Sequence, residues 1–265
     1  MVFVNELFSA IILAVVQGIT EWFPVSSSGH LIIFEKILSY EGGLLFQVAL
    51  HFGTLMAVFI YFGKDITDII KDVLSFKFDT EHGKMGLLLI VATIPAGIVG
   101  FFAKNFFDTL LSSLGIIALG FGITGLILLI AALTKNKNNI SEIKKLSYGN
   151  AFLIGLVQAI AIIPGISRSG TTIAAGILLG MSEKTAMKFS FILSIPVIFG
   201  ANIITIGNQT LPKELIWATL VSFIVGFLFL HLTFKYILVK RKNLRWFAVY
   251  ALLLALGIGI WVIFG

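Results

Sequence analysis

The sequence contains no cysteine and few charged residues. The absence of cysteine excludes disulfide bonds, thiolate metal sites and a cysteine nucleophile. Charged residues make up 12% of the 265 residues, whereas soluble domains carry roughly a quarter. Hydrophobic residues make up 58%. This composition excludes an ordinary soluble domain and indicates an integral membrane protein.

The sequence also lacks the basic N-terminal segment with which a cleavable signal peptide begins, so we expect no such peptide. A net charge of +6 is common among nucleic-acid-binding proteins, but the basic residues here lie in short loops between apolar segments. That distribution is typical of membrane topology signals. We therefore expect no nucleic-acid partner.

Six apolar segments are long enough to cross a bilayer, which takes about 20 residues. They are 44–62, 85–102, 115–133, 189–206, 215–234 and 246–264. Two other apolar regions, 7–38 and 148–179, are interrupted near their centres by Pro24 and by Pro164-Gly165. Each predicts a re-entrant helix–loop–helix hairpin, whose freed backbone groups must be satisfied by neighbouring protein or a water-filled cavity.

The basic residues are distributed unevenly between the two sides of this layout. If each hairpin leaves on the side it entered, the loops 63–84, 134–147, 180–188 and 235–245 share one side and carry 15 of the 19 Lys and Arg residues. Loops on the other side carry three. The excess predicts that the first set is cytoplasmic and that both termini are extracytoplasmic.

The two hairpins then enter the membrane from opposite sides. We therefore predict an all-α polytopic fold with six transmembrane helices and two re-entrant hairpins in an inverted-topology repeat. A single membrane domain covers 1–265, with repeat 1 at about 1–133 and repeat 2 at about 148–265. In such repeats the broken elements meet near the middle of the membrane, and the site lies between them.

Polar residues are concentrated in the two interruptions. Residues 17–30 read QGITEWFPVSSSGH, and residues 158–171 read QAIAIIPGISRSGT. Ser26 and Ser28 precede Ser167 and Ser169 by 141 positions. Ionisable side chains at membrane depth are costly, so their presence here predicts a functional site.

Both interruptions have the residue order of a helix start. Proline ends the preceding helix, serine is a preferred N-cap and glycine allows close backbone approach. Two helix N-termini that meet beside the guanidinium of Arg168 would make an anion receptor suited to phosphate. The predicted phosphate-binding residues at the helix starts are Ser26, Ser28, Gly29, Ser167, Ser169 and Gly170, and the family resemblance given below adds Gln17 and Thr172.

The predicted catalytic residues are Glu21, Ser27, His30 and Arg168. Gln17 and Glu21 share a helix face at its C-terminal end, where the helix dipole disfavours negative charge. Glu21 therefore either transfers a proton or has a cation beside it, such as a divalent metal that also contacts phosphate. Ser27 is the first choice of nucleophile, with His30 activating it and Glu21 or the metal assisting. His30 itself and a metal-bound water are the alternatives.

These motifs, QxxxE at 17–21, PxSSSGH at 24–30 and PGxSRSxxT at 164–172, resemble the signatures of the bacterial undecaprenyl-diphosphate phosphatase family, the bacitracin-resistance proteins. The resemblance implies hydrolysis of undecaprenyl diphosphate to undecaprenyl phosphate and inorganic phosphate. That reaction recycles the lipid carrier for cell-wall synthesis and confers bacitracin resistance. It also implies a divalent cation, Mg²⁺ or Ca²⁺, and a site in the cytoplasmic membrane that opens to the extracytoplasmic side. The expected partners are the lipid substrate and the bilayer, with a homodimer left open.

This sequence lacks one carboxylate that the family pattern allows, and its layout also fits a second function. Position 17 is Gln where the family allows Glu or Gln, so the first motif offers a single carboxylate, Glu21, to a metal. A secondary transporter or flippase for an anionic or lipid-phosphate substrate is the alternative, because inverted repeats with broken helices are typical of transporters. A nucleophile, a base and an acid in one loop favour the enzyme. For Gln47 and His51, in the first span, packing or an interhelical hydrogen bond is favoured, and lining the cavity is the alternative.

Overall fold

The computed structural model describes residues 6–102, 113–134, 140–206 and 213–264. The described residues form eleven α-helices. They are α1 (Glu6–Thr20), α2 (Ser27–Leu38), α3 (Gly43–Tyr61), α4 (Gly63–Leu74), α5 (Glu81–Phe102), α6 (Leu114–Leu133), α7 (Tyr148–Ile160), α8 (Arg168–Leu178), α9 (Glu183–Ile206), α10 (Lys213–Leu232) and α11 (Leu244–Phe264). The predicted all-α class is confirmed.

Six of the described helices are long and apolar enough to cross a membrane, by length and composition. Their apolar stretches are Gly43–Tyr61, Glu81–Phe102, Leu114–Leu133, Glu183–Ile203, Leu215–Ile237 and Arg241–Phe264. Each overlaps one of the six predicted segments, so the predicted number of spans is confirmed. Large apolar side chains such as Phe101, Leu119 and Phe264 are exposed, as expected of a surface that faces lipid. The chain is a multi-pass membrane protein.

Two pairs of short helices have the interruptions that the prolines predict. In the first pair α1 ends at Thr20 and α2 begins at Ser27. In the second pair α7 ends at Ile160 and α8 begins at Arg168. None of these four helices reaches the length of a span, because proline and the cap serines end one helix and start another within a few residues.

Helix α6 holds the second interruption in place. Gly165 has a φ of +90°, and a Cβ there would lie 2.3 Å from the carbonyl oxygen of Ile117, so this position requires glycine. The hydroxyl of Thr124 donates to the Gly165 carbonyl oxygen at 3.0 Å and accepts from the Ser167 backbone N–H at 2.9 Å. These bonds satisfy loop backbone groups that water would otherwise have to reach.

The first interruption is anchored by aromatic packing. Trp22 is fully buried, and its ring meets Phe191 of α9 edge-on with centroids 5.2 Å apart. Phe23 packs in the same way against Phe229, at 5.6 Å. Both rings lie next to Glu21 in sequence, so they fix the chain segment that carries this carboxylate. The first interruption is therefore held by α9 and α10.

Candidate active site

A cavity of about 850 Å³ lies between the two interrupted helix pairs. Its polar wall is formed by residues from both interruptions. They are Glu21, Ser26, Ser27 and Ser28 from the first and Ser167, Arg168 and Ser169 from the second. Helices α3, α5 and α9 supply most of the remaining wall. The cavity therefore brings together two segments that are about 140 residues apart in the sequence.

The carboxylate of Glu21 is the centre of this wall. Glu21 is 5% exposed, and its Oε2 accepts a hydrogen bond of 2.6 Å from the Ser27 hydroxyl. The same oxygen accepts from the Gln17 amide at 3.0 Å. Oε1 accepts from the guanidinium of Arg168, with Nη2 at 2.5 Å. Gln17 and Glu21 share a helix face, as predicted. The bond between Glu21 and Arg168 connects this face to the second interruption.

Arg168 is oriented by its own helix and by α9. Its Nη1 donates to the Ser190 carbonyl oxygen at 3.3 Å. The Thr172 hydroxyl lies 2.8 Å from the Arg168 carbonyl oxygen and 2.6 Å from the Ser190 hydroxyl. A guanidinium has five N–H donors, and these bonds to Glu21 and Ser190 use two of them. Arg168 lines the cavity and can therefore bind an anion with the others.

The cap serines of the two interruptions make equivalent bonds. Ser26 accepts from the backbone N–H of Gly29 at 3.4 Å, and its hydroxyl lies 3.4 Å from that of Ser28. Correspondingly, Ser167 accepts from Gly170 at 3.0 Å and lies 3.3 Å from the Ser169 hydroxyl. Ser169 also donates to the Phe23 carbonyl oxygen at 3.2 Å, which joins the two interruptions a second time. Both helix starts, α2 and α8, therefore face one cavity.

His30 faces away from Ser27. Its Nδ1 lies 2.7 Å from the Ser26 carbonyl oxygen, so this nitrogen carries the proton, since a carbonyl only accepts. Nε2 lies 2.7 Å from the Tyr250 hydroxyl, which then donates to it. His30 is not among the residues that line the cavity. The predicted catalytic role of His30 stays a prediction.

His51 lies at the cavity, which the sequence ranks below packing or an interhelical hydrogen bond. It lines the cavity wall, and its Nε2 lies 3.5 Å from both the Ser27 hydroxyl and Glu21 Oε2. Its Nδ1 lies 2.7 Å from the Gln47 carbonyl oxygen. An ionisable side chain inside an apolar span was the available signal. Other contributors without a sequence signal are Thr124, Ser190 and Tyr250.

The described residues offer few ligands for a resident metal. No group of three or more His, Cys, Asp or Glu side chains gathers among them. Glu21 is the acidic residue of the cavity wall, and both of its oxygens accept hydrogen bonds. The side-chain oxygen of the neighbouring Gln17 is buried and has no hydrogen-bond partner in the described part of the chain.

A second carboxylate, the half-buried Glu35, lies near the end of α2 and outside the six spanning helices. Burial raises its pKa to about 7, although the hydrogen bond from the Gln47 amide, at 3.0 Å, acts in the opposite direction. Glu35 does not line the cavity. It therefore provides a comparison for Glu21 within the same helix pair.

The fold and this site define a polytopic helical membrane protein with a cavity whose wall holds a serine, a carboxylate and a guanidinium in contact. More particularly, the chain belongs to the family described as "Bacitracin resistance protein BacA", whose model matches residues 10–257. The family that the two motifs resemble is thus confirmed.

Several curated relatives cover nearly the whole chain. It is 40% identical over 246 residues to the "Undecaprenyl-diphosphatase" of Methanococcus vannielii, a match that covers 93% of this chain and 96% of that one. The protein of the same name from Thermosipho melanesiensis is 39% identical, with the same coverage. "Undecaprenyl-diphosphatase 1" of Pseudoalteromonas translucida is 38% identical over 263 residues, covering 96% and 97%.

Proposed function

We propose that this protein is an undecaprenyl-diphosphatase. It hydrolyses undecaprenyl diphosphate to undecaprenyl phosphate and inorganic phosphate, which recycles the lipid carrier for cell-wall synthesis and supports resistance to bacitracin. One observation carries the proposal: the Ser27 hydroxyl donates to Glu21 at 2.6 Å while Arg168 contacts the other oxygen of the same carboxylate. A hydroxyl, a base and a cation in direct contact are the parts that phosphoryl transfer requires.

In the first step, the Ser27 oxygen attacks the terminal phosphorus. The Oγ–P bond forms, the bond from phosphorus to the bridging oxygen breaks, and undecaprenyl phosphate leaves. Glu21 Oε2 takes the serine proton, because it already accepts the hydrogen bond from that hydroxyl. The geometry thus favours Glu21 over His30 as the base.

In the second step, water attacks the phosphorus of the phosphoserine. The Oγ–P bond breaks, and Glu21 returns its proton to Ser27. The oxygen of the water stays on the phosphorus as a hydroxyl of the departing inorganic phosphate, and the other proton of the water goes to solvent. In both steps, Arg168 and the backbone N–H groups at the starts of α2 and α8 stabilise the charge that develops on the phosphoryl oxygens. These donors are already in place before the substrate arrives.

His30 is assigned a positioning role. Its Nδ1–H bonds to the Ser26 carbonyl oxygen, and its ring packs edge-on against Phe121 with centroids 5.2 Å apart. Tyr250 holds the opposite nitrogen. His30 therefore fixes the first turn of α2, which carries Ser27, and it acts on the reaction through that turn.

A divalent cation, Mg²⁺ or Ca²⁺, is part of the proposal. Both ions take oxygen ligands and are commonly bound by one or two protein groups together with substrate phosphates. Glu21 and the unpartnered oxygen of Gln17 would hold it, and the diphosphate would supply most of the other ligands. When bound, the ion would neutralise part of the charge on the diphosphate.

The helix packing supports the proposed inverted repeat. Helix α1 packs against α10, and α7, the first helix of the other pair, packs against α5. Helices α5 and α10 are each the second span after the helix pair of their own half. The first helix of each pair therefore packs against the second span of the other half. Repeat 1 at about 1–133 and repeat 2 at about 148–265 fit this exchange, as do hairpins that re-enter the membrane from opposite sides.

The orientation of the site is proposed from the cavity wall and the basic loops. The cavity is lined by the first residues of α3 and by the last turns of α5 and α9, so it opens toward those helix ends. The loops on that side carry few basic residues, which favours the extracytoplasmic face. Both termini lie on the same side in this arrangement. The homodimer, which the sequence leaves open, stays open.

Phosphate release in detergent tests the proposal. The purified protein is incubated with undecaprenyl diphosphate and Mg²⁺, and inorganic phosphate is measured for the wild type, Ser27→Ala and Ser9→Ala. Ser9 is a buried serine of α1 outside the cavity wall and serves as the matched control. We expect release by the wild type and Ser9→Ala only. A transporter or flippase releases no phosphate, so a silent wild type, or an active Ser27→Ala, overturns the proposal.

A further inference from the structure

The cavity wall contains a buried amide that has no hydrogen-bond partner among the residues that the structure describes. Gln158, in the last turn of α7, is 2% exposed and lines the cavity. Neither its side-chain nitrogen nor its oxygen makes a hydrogen bond to any residue that the structure describes. Buried polar groups are almost always bonded, so an exception calls for an explanation such as a ligand.

Comparison of the two helix pairs shows why the Gln158 amide has no carboxylate partner among the described residues. Gln158 follows Gln17 by 141 positions, the same offset that relates the cap serines. In the first pair, the Gln17 amide donates to Glu21, four residues later. In the second pair, the position of Glu21 is taken by Ile162. Gln158 therefore has the placement of Gln17 but lacks its carboxylate, and its N–H groups are available to another anion.

Beyond Gln158, the wall of the cavity becomes apolar. Ala161 and Ile162 continue the wall from the same segment, and α5 adds Gly100 and Phe101. A Cβ on Gly100 would lie 3.9 Å from the Ile162 side chain, so the two segments are neighbours. Phe101 is 70% exposed, and this apolar part of the wall therefore reaches the outer, lipid-facing surface. Gln158 lies on the wall that includes both this apolar part and the polar residues around Ser27.

We infer that Gln158 donates hydrogen bonds to the phosphoryl group that stays on the lipid. The inference rests on the proposed function, in which Ser27 and Arg168 hold the terminal phosphoryl group. The second phosphoryl group joins that group to an apolar tail, and the apolar wall beyond Gln158 suits the tail. Gln158 is thus a binding residue for the retained phosphate, and it favours a diphosphate over a monophosphate substrate.

The test compares Gln158→Met with the wild type in equilibrium binding of two probes, a short-chain polyprenyl phosphate and inorganic phosphate. Met keeps the length of Gln and removes its donors. We expect the Kd of the polyprenyl phosphate and the KM of the diphosphate to rise about ten-fold or more, which is the worth of a hydrogen bond to a charged group. The Kd of inorganic phosphate is expected to stay unchanged. The thermal midpoint is expected to stay the same or rise, because an unsatisfied buried amide is removed.

Two further variants keep the inference falsifiable. Gln158→Glu retains the shape and replaces the N–H donors by acceptors, so it weakens binding of the polyprenyl phosphate even if Gln158→Met fails to fold. Asn202→Leu is the control, because Asn202 is another buried amide of the wall whose unpartnered atom is an acceptor. It is expected to leave polyprenyl phosphate binding unchanged.

Specific outcomes would overturn the inference. Unchanged binding of the polyprenyl phosphate in both Gln158 variants rejects it, and so does a change confined to inorganic phosphate. A lower thermal midpoint with unchanged binding assigns Gln158 to packing alone. Because binding is measured without turnover, a wild type that binds both probes but releases no phosphate from the diphosphate refutes the proposed function and leaves the inference to be judged on binding.

Discussion

Arg168 and Glu21 form an ion pair across 147 positions of the chain, with Nη2 and Oε1 2.5 Å apart. Glu21 is almost fully buried and the Arg168 side chain is 15% exposed, so both charges are largely removed from water. Removal of one partner from such a pair typically costs about 3–5 kcal/mol, because the other charge stays buried and unpaired. The pair therefore joins the two interruptions and fixes both functional groups at the cavity.

Arg168→Lys tests whether the fork of N–H donors is required. Lysine keeps the positive charge but cannot contact Glu21, Ser190 and a phosphoryl group from one rigid plane. We expect kcat/KM to fall on the order of a hundred-fold or more, the effect of removing a transition-state donor. Arg241→Lys is the control, since Arg241 forms an ion pair with Glu183 away from the cavity. Equal activity of the two variants would contradict the assignment.

Glu21→Gln tests the base. The amide preserves the shape of the side chain but cannot take the Ser27 proton, so kcat is expected to fall by about 10²- to 10⁴-fold. The comparison variant is Glu35→Gln, which changes the half-buried carboxylate of this helix pair. We expect it to keep kcat within a few-fold of the wild type, measured by phosphate release. If the two variants lose activity to a similar extent, Glu21 has no special role as the base.

His30→Asn and His30→Ala separate positioning from proton transfer. The Asn side chain can still donate to the Ser26 carbonyl oxygen in place of Nδ1, whereas Ala cannot. If His30 fixes the first turn of α2, Asn restores a substantial part of the activity that Ala loses, and the pH profile keeps its shape. An amide cannot act as a nucleophile or a proton donor in place of His30. If His30→Asn and His30→Ala are equally inactive, the result supports the predicted catalytic role instead.

Glu35 predicts a pH-dependent stability. Burial raises the pKa of Glu35 to about 7 from its ordinary value of 4.5, so the folded protein binds this proton more tightly than the unfolded chain. The contribution to stability is therefore complete below the unfolded pKa and is lost as pH rises through the folded value of about 7. Glu35→Gln should have a smaller drop in thermal midpoint than the wild type over this interval. Parallel curves for the two proteins would refute it.

The sequence predicted the spans well because each is a long uninterrupted apolar run. The predicted span 44–62 and the observed Gly43–Tyr61 differ by one residue at each end. The two helix interruptions could be predicted equally well, since proline and serine act locally on the backbone. The contact between Gln17 and Glu21 followed from helical spacing alone.

Contacts between distant elements could not be predicted in the same way. The proximity of His51 to Ser27 depends on the rotation of α3 about its axis, and the bond between His30 and Tyr250 joins α2 to the last helix of the chain. Neither relationship has a local spacing that would indicate it. The expectation that His30 activates Ser27 rested on their closeness in sequence, whereas the helix turns the two side chains in different directions.

The proposed reaction requires a covalent phosphate on Ser27. The most direct measurement is mass spectrometry of the protein after rapid quenching of turnover in neutral denaturant, which preserves phosphohistidine as well as phosphoserine. We predict one phosphoryl group on Ser27 in the wild type, a larger fraction in variants that slow the second step, and none in Ser27→Ala. Phosphate on His30, or continued hydrolysis by Ser27→Ala, would contradict the account.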